Sequence, residues 1–157
     1  MTPDRELEGG VSGEPAGLLP APDEDSAPFW EGCAAGELRV QRCASCGRRR
    51  MPPRPMCPWC RSFEVAWDVT SGRGRIWSWV VAHPPLLAAY AEQAPYNVVV
   101  VELEDDPSIR LCGNVVAEPG GRLDAVDPTT LSIGLPVQVC FGPAVAGIAL
   151  PRWRVAG

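Results

Sequence analysis

The sequence predicts a mainly β protein in which a short helix and a small metal-binding ribbon precede a closed barrel of five strands. Four cysteines stand in two close pairs, Cys43-x-x-Cys46 and Cys57-x-x-Cys60, with ten residues between the pairs. After them, short runs of β-branched and aromatic residues recur between Gly/Pro turns. We expect an acidic tail over residues 1–27, the helix and ribbon over residues 28–68, and the barrel over residues 69–157.

The predicted tail is acidic and rich in Gly and Pro. It holds seven acidic residues against one arginine, a charge of −6, so the rest of the chain is about neutral at +1. Such a composition cannot bury enough apolar surface to fold alone, and it predicts a disordered segment. A solvating tail and a partner-docking arm both fit. The tail also lacks the apolar core of a signal peptide, and no apolar run is long enough to span a membrane, so we expect a cytoplasmic protein.

A short helix is predicted over residues 28–35, just before the metal-binding segment. Ser26 is a candidate N-cap, Pro28 suits the first turn, and Gly36 is a natural stop. Residues 38–41 and 63–67 alternate between apolar and polar side chains, as two ribbon strands should.

The paired cysteines predict one closed zinc site with four sulfur ligands: Cys43, Cys46, Cys57 and Cys60. Gly47 supplies a turn after the first pair, and the prolines between the pairs exclude a helix there. Two disulfides would need an oxidising compartment, and a catalytic zinc would need an open coordination position. We therefore expect a structural Zn²⁺ that stabilises the ribbon by about 10 kcal/mol. Cys33, Cys112 and Cys140 remain as predicted buried thiols.

The second half of the chain is predicted to form β strands. The predicted strands are residues 76–81, 96–103, 109–116, 137–141 and 148–155. Four consecutive valines in the second of them predict a strand buried on both faces. Residues 86–93 fit a short helix or a lid-like loop. Five short strands suit a small barrel, which leaves no exposed sheet edge.

Several motifs occur together in one order along the chain. They are Phe29-Trp30-Glu31-Gly32, Gly36-Glu37-Leu38, Gln41-Arg42-Cys43-Ala44-Ser45-Cys46-Gly47, Pro52-Pro53-Arg54, Cys57-Pro58-Trp59-Cys60, Ser71-Gly72-Arg73-Gly74, Pro95-Tyr96 and Ile133-Gly134-Leu135-Pro136-Val137. This set resembles the rubredoxin-like zinc-ribbon plus OB-fold proteins that associate with acyl-CoA enzymes, formerly a domain of unknown function. The resemblance covers about residues 28–155.

The resemblance implies a non-catalytic accessory subunit. Its partner would be a thiolase-like, aldolase or acyltransferase enzyme of steroid, lipid or polyketide metabolism, whose acyl-CoA channel it would help to form. Phe29, Trp30 and Trp59 are the aromatic candidates for partner contact. The residues agree with a catalytic centre on the partner, because His83 is the only histidine and no nucleophile elbow or phosphate loop accompanies it.

Seven arginines and no acid lie between residues 39 and 61, which predicts a basic patch. We expect Arg48, Arg49, Arg50 and Arg54 to contact either a coenzyme A phosphate or the partner. Nucleic acid is the alternative ligand, with tryptophans such as Trp59 and Trp77 stacking on bases. The acidic net charge argues against a polyanion.

Overall fold

The computed structural model describes residues 18–157, so the first 17 residues of the predicted tail lie outside the described range. The elements in chain order are α1 (Ala27–Ala34), β1 (Arg39–Cys43), β2 (Arg49–Arg50), β3 (Val65–Val69), β4 (Arg73–Ala82), α2 (Ala88–Ala91), β5 (Tyr96–Leu103), β6 (Arg110–Gly113), β7 (Pro136–Phe141) and β8 (Pro151–Val155). No helix of this described part is long and apolar enough to cross a membrane.

The entry to α1 differs in detail from the sequence prediction. The Ser26 side chain makes no capping bond to the helix. Its hydroxyl donates instead to the Asp23 carboxylate at 2.5 Å, and the Ser26 amide donates to the same oxygen at 2.8 Å. The chain is therefore hydrogen-bonded from Asp23 onward, four residues before the predicted end of the tail. Gly36, at φ 78°, follows the helix as expected.

The ribbon is a three-stranded antiparallel sheet in the order β2-β1-β3. β1 pairs with β3 from Arg39↔Val69 to Cys43↔Val65, and with β2 at Gln41↔Arg50. The first metal-binding cysteine thus stands at the end of the central strand, where the sheet holds its backbone.

The barrel is a five-stranded antiparallel sheet in the order β6-β5-β4-β7-β8. The chain just after β6 meets β8 through an isolated parallel bridge between Val115 and Trp153. The Val116 amide donates to the Trp153 carbonyl at 2.8 Å, and the Trp153 amide donates to the Asn114 carbonyl at 2.9 Å. This closure confirms the predicted five-stranded OB-fold barrel after the ribbon.

One hydrophobic core joins the ribbon to the barrel. Leu38 and Val40 from the ribbon belong to the same buried cluster as Ile76 and Val99 from the barrel. The large Trp153 side chain, 2% exposed, anchors this core. It lies against Gly113, where an added Cβ would stand 3.0 Å from the indole Nε1, so this strand position accepts only glycine without rearrangement.

Two sequence predictions about burial need correction. β5 is buried on one face only: Asn97, Val99, Val101 and Leu103 point inward, and the outward valines are half-buried. The outward face belongs to the outside of the barrel, which no other described element covers completely. Cys33 is buried as predicted, but Cys140 is half-buried and Cys112 is exposed.

Candidate metal centre and adjoining surfaces

The two cysteine pairs form two turns with the same hydrogen bonds. In the first, the Cys43 amide donates to the Arg48 carbonyl and the Gly47 amide donates to the Cys43 carbonyl, both at 2.9 Å. In the second, the Cys57 amide donates to Ser62 and the Arg61 amide donates to Cys57, again at 2.9 Å. Each turn therefore directs two sulfur atoms toward one point.

The four sulfur atoms lie close enough to share one metal ion. All four lie within 4.8 Å of one another, with the Sγ atoms of Cys43 and Cys60 at 3.5 Å and those of Cys46 and Cys57 at 3.7 Å. Metal–sulfur bonds of about 2.3 Å in a tetrahedron would separate the sulfurs by roughly 3.8 Å. The donor set and its spacing fit a closed zinc site, which holds one ion and leaves no coordination position for substrate.

Without a cation between them, the four thiols cannot all ionise easily, because neighbouring thiolates repel one another. The Cys46 amide, followed by the Cys60 side chain, lowers the pKa of Cys43 to about 6 against partial desolvation. The Ser62 amide alone would lower the pKa of Cys60, but desolvation and the neighbouring sulfurs raise it to about 11. A divalent cation removes this conflict because it stabilises the thiolate form at every position.

A buried polar brace holds the chain between the two cysteine pairs. The Gln41 side-chain oxygen accepts from Arg50 Nε at 2.5 Å and from the Arg54 amide at 2.9 Å. Arg50 also donates to the Arg54 carbonyl at 3.1 Å, and its side chain is 4% exposed. The buried guanidinium of Arg50 is bonded within the ribbon and is therefore poorly placed for the surface contact predicted for it.

The basic patch is weaker than the sequence predicts. Asp68, on β3, accepts from Arg42 at 2.9 Å and from Arg49 at 2.8 Å. The Arg42 guanidinium, followed by that of Arg49, holds the pKa of Asp68 below its usual range. Arg49 also reaches the Asp105 carbonyl. The local sequence contains no acid, but the fold brings one from a strand that comes later in the chain.

Of the four arginines predicted to contact a phosphate or a partner, Arg48 and Arg54 are exposed. The Arg48 guanidinium lies 5.3 Å from the ring centre of Trp59, whose side chain is 50% exposed. The shallow depression around this pair also includes Arg42, Arg49, Asp106 and Ser108. An exposed tryptophan beside an exposed guanidinium is a feature that recurs at protein interfaces.

The other two predicted aromatic contacts lie elsewhere. Phe29 is 7% exposed and packs edge-on against Trp30, with ring centres 4.9 Å apart. Its ring therefore belongs mainly to the core and offers a partner little surface, although it also lines the groove described for Trp30 below. Trp30 is half-buried and lines a separate groove beside α1.

Within residues 18–157, the side chains most suited to acid–base or nucleophilic chemistry are not assembled together. His83 lies exposed at the end of β4, beside two prolines. Glu104 is engaged by Arg73 and Arg75. Burial raises the pKa of Cys33 to about 12, and that of Cys140 above its ordinary value, which disfavours their thiolate forms.

Family models match both modules. Residues 30–66 match the "ChsH2, rubredoxin-like zinc ribbon domain" and residues 67–142 match the "ChsH2, C-terminal OB-fold domain". The Ltp2-ChsH2(DUF35) aldolase structure superposes with a TM-score of 0.75 at 34% identity, covering 88% of this chain and 100% of that chain.

Two curated relatives add different names. A probable enoyl-CoA hydratase alpha subunit of Thermomonospora curvata is 35% identical over 91% of this chain, which spans only 42% of that protein. A DUF35 domain-containing scaffold protein of Methanothermobacter thermautotrophicus is 33% identical over 66% of this chain and 71% of its own length.

Proposed function

We propose, because the chain belongs to the ChsH2 family of zinc-ribbon and OB-fold proteins, that it is a non-catalytic accessory subunit of an acyl-CoA enzyme. The partner is a thiolase-like aldolase, a hydratase subunit or a related acyltransferase. The chain orders this partner and contributes to the channel that receives the acyl-CoA substrate, in steroid, lipid or polyketide metabolism.

The observation that carries the proposal is the closed metal centre beside Arg48 and Trp59, two exposed side chains that we call the docking pair. Four cysteine ligands would fill the coordination shell of zinc, so the ion would hold the two turns together and would not touch a substrate. Beside it, Arg48 and Trp59 offer an aromatic and cationic surface. A rigid turn that presents such side chains suits a scaffold, because little conformational entropy is lost on binding.

The names of the relatives support the same role. One is called an alpha subunit, one a scaffold protein, and one is part of an aldolase assembly. The chain spans about two fifths of the hydratase subunit, so the hydratase activity of that protein does not transfer to it. The shared part is the ribbon and barrel, and the proposal concerns that part alone.

Coenzyme A contact is assigned to the same surface. Arg48 and Arg54 are exposed and have no ion-pair partner among residues 18–157. Their guanidinium groups can bind a phosphate of a thioester held mainly by the partner. Arg42 and Arg49 are less suited, because Asp68 already engages both.

Co-expression with the partner enzyme tests the proposal. Trp59→Ala should weaken association by at least about tenfold, because an aromatic anchor at an interface contributes on the order of 2 kcal/mol. Arg122→Gln is the matched control: this exposed arginine is paired with Asp124 in the barrel, away from the docking pair. Equal association of Trp59→Ala and wild type would refute this docking surface.

A further inference from the structure

A groove of about 430 Å³ lies between α1, the ribbon and the barrel. Each of the three parts supplies a wall: Trp30 from α1, Met51 and Pro53 from the turn after β2, and Leu111 and Trp153 from the barrel. A volume of this size exceeds the voids left in a packed core and falls in the range of small-molecule sites. It is separate from the Arg48–Trp59 surface, with which it shares no lining residue.

The walls of the groove are mainly apolar, and its few polar groups are largely engaged. The Ser26 hydroxyl is bonded to Asp23. Cys112 contributes a weak thiol donor from an exposed position. The groove opens to solvent, but its mainly apolar walls give a bound water few hydrogen-bond partners. The groove therefore favours a hydrocarbon group.

Among the described residues 18–157, Arg110 is the one charged residue that lines the groove. Its Nε and Nη2 atoms both donate to one oxygen of Glu102, at 3.2 and 3.0 Å. The guanidinium lies 4.1 Å from the ring centre of Trp77, which fixes its orientation. Its Nη1 group has no hydrogen-bond partner within residues 18–157 and is available to an acceptor on a ligand.

From this arrangement we propose that the groove binds a small apolar carboxylate. The hydrocarbon chain lies along the walls formed by Trp30, Met51 and Leu111, and the carboxylate accepts from Arg110. Burial of the chain supplies most of the affinity, while the charge-assisted hydrogen bond selects the acid over an uncharged analogue. This site goes beyond the proposed subunit role and would exist in the chain without its partner.

Titration calorimetry with octanoate and octanol tests the proposal on the purified zinc-loaded chain. The two probes share a tail and differ in the head group. We expect saturable one-to-one binding of octanoate, about tenfold tighter than that of octanol. Arg110→Gln should bind both probes equally and weakly. Arg154→Gln, an exposed arginine outside the groove, should keep the wild-type preference.

A second variant tests the location. Met51→Trp fills the groove and should abolish the binding of both probes, with circular dichroism and zinc content confirming that the variant is folded. If it does not fold, the Arg110→Gln comparison decides alone. Absence of saturable octanoate binding at millimolar concentration, equal binding of both probes to wild type, or a preference that survives Arg110→Gln would each overturn the proposal. The titration uses no partner, so its failure leaves the proposed subunit role unaffected.

Discussion

Gly47 and Arg61 occupy the same position in the two metal-binding turns. Their φ angles are 76° and 62°, and each donates its amide to the carbonyl of the first cysteine of its own turn at 2.9 Å. The left-handed conformation favours glycine, because other residues bring their Cβ too close to the following carbonyl. The first turn meets this requirement with glycine, and the second turn carries an arginine in the same conformation.

This equivalence predicts opposite effects for two substitutions. Gly47→Ala should lower the free energy of unfolding by about 1 kcal/mol. The cause is backbone strain alone, because a Cβ at Gly47 would meet nothing within 4 Å. Arg61→Gly should be neutral or stabilising. Urea unfolding at fixed free zinc measures the free energy of unfolding of both variants. A Gly47→Ala variant as stable as wild type, or an Arg61→Gly variant less stable than wild type, would contradict the assigned turn geometry.

The metal centre predicts a division among the cysteines. Cys43→Ser and Cys60→Ser should lose zinc and become insoluble, because the ribbon depends on a complete four-sulfur shell. Cys112→Ala should keep one zinc per chain and wild-type solubility, since its thiol is exposed and lies outside the cluster. Elemental analysis after exhaustive dialysis against a weak chelator provides the measurement. Equal zinc content in all three variants would exclude the assigned ligands.

Asp68 should contribute to ribbon stability through two arginines. Asp68→Asn removes both ion pairs and should cost about 1 kcal/mol, as expected for a pair of partly exposed salt bridges. Because the folded pKa of Asp68 lies below its unfolded value, this contribution is present above about pH 4 and is lost as the pH falls through the folded pKa. The measured cost should therefore be constant between pH 6 and pH 8.

Glu37→Gln is the control for this prediction. Within residues 18–157 the Glu37 carboxylate accepts only from Arg39, at 2.7 and 2.9 Å, and it is more exposed than the Asp68 carboxylate. Its replacement should cost less than half as much. Chemical denaturation of both variants at two salt concentrations distinguishes the pairs, since added salt weakens exposed ion pairs first. An Asp68→Asn variant as stable as wild type would show that the two pairs contribute nothing.

Asn97 should be among the least replaceable residues of the barrel. It is fully buried, its amide nitrogen donates to the Val115 carbonyl at 2.9 Å, and its side-chain oxygen accepts from the Val115 amide at 2.7 Å. Asn97→Ala would leave two backbone groups without partners, at a cost of about 3 kcal/mol. Glu102→Gln, on the same strand but facing outward, should change thermal stability little. A melting temperature unchanged by Asn97→Ala would contradict this role.

The sequence predicted the order of elements and the metal ligands well, because both depend on local patterns. Cysteine spacing, the glycine after Cys46 and alternating apolar residues each act over a few positions. The five predicted strands of the barrel all appear, although the third ends at Gly113 and Val115 contributes only a bridge. The residues of 86–93 include a single helical turn at Ala88–Ala91.

The features that the sequence missed depend on contacts between distant segments. Asp68 neutralises arginines that lie 19 and 26 positions away, so a count of charges along the chain overstated the basic patch. Phe29 stands next to Trp30 in sequence and both line the groove, yet Phe29 is buried in the core while Trp30 stays half-buried. Asn97 offered one signal in the sequence, because it is a polar residue at the start of a run of valines. Its partner, the Val115 backbone, could not be inferred because the barrel closure brings the two together.

The decisive experiment for the accessory-subunit role is size-exclusion chromatography with light scattering. It uses this chain co-expressed with a thiolase-like aldolase or hydratase subunit from the same organism. We expect one hetero-oligomeric species that contains zinc and turns over an acyl-CoA substrate, while the isolated chain binds zinc and shows no turnover. Separate elution of the two proteins, with full activity of the enzyme alone or efficient turnover by this chain alone, would contradict it.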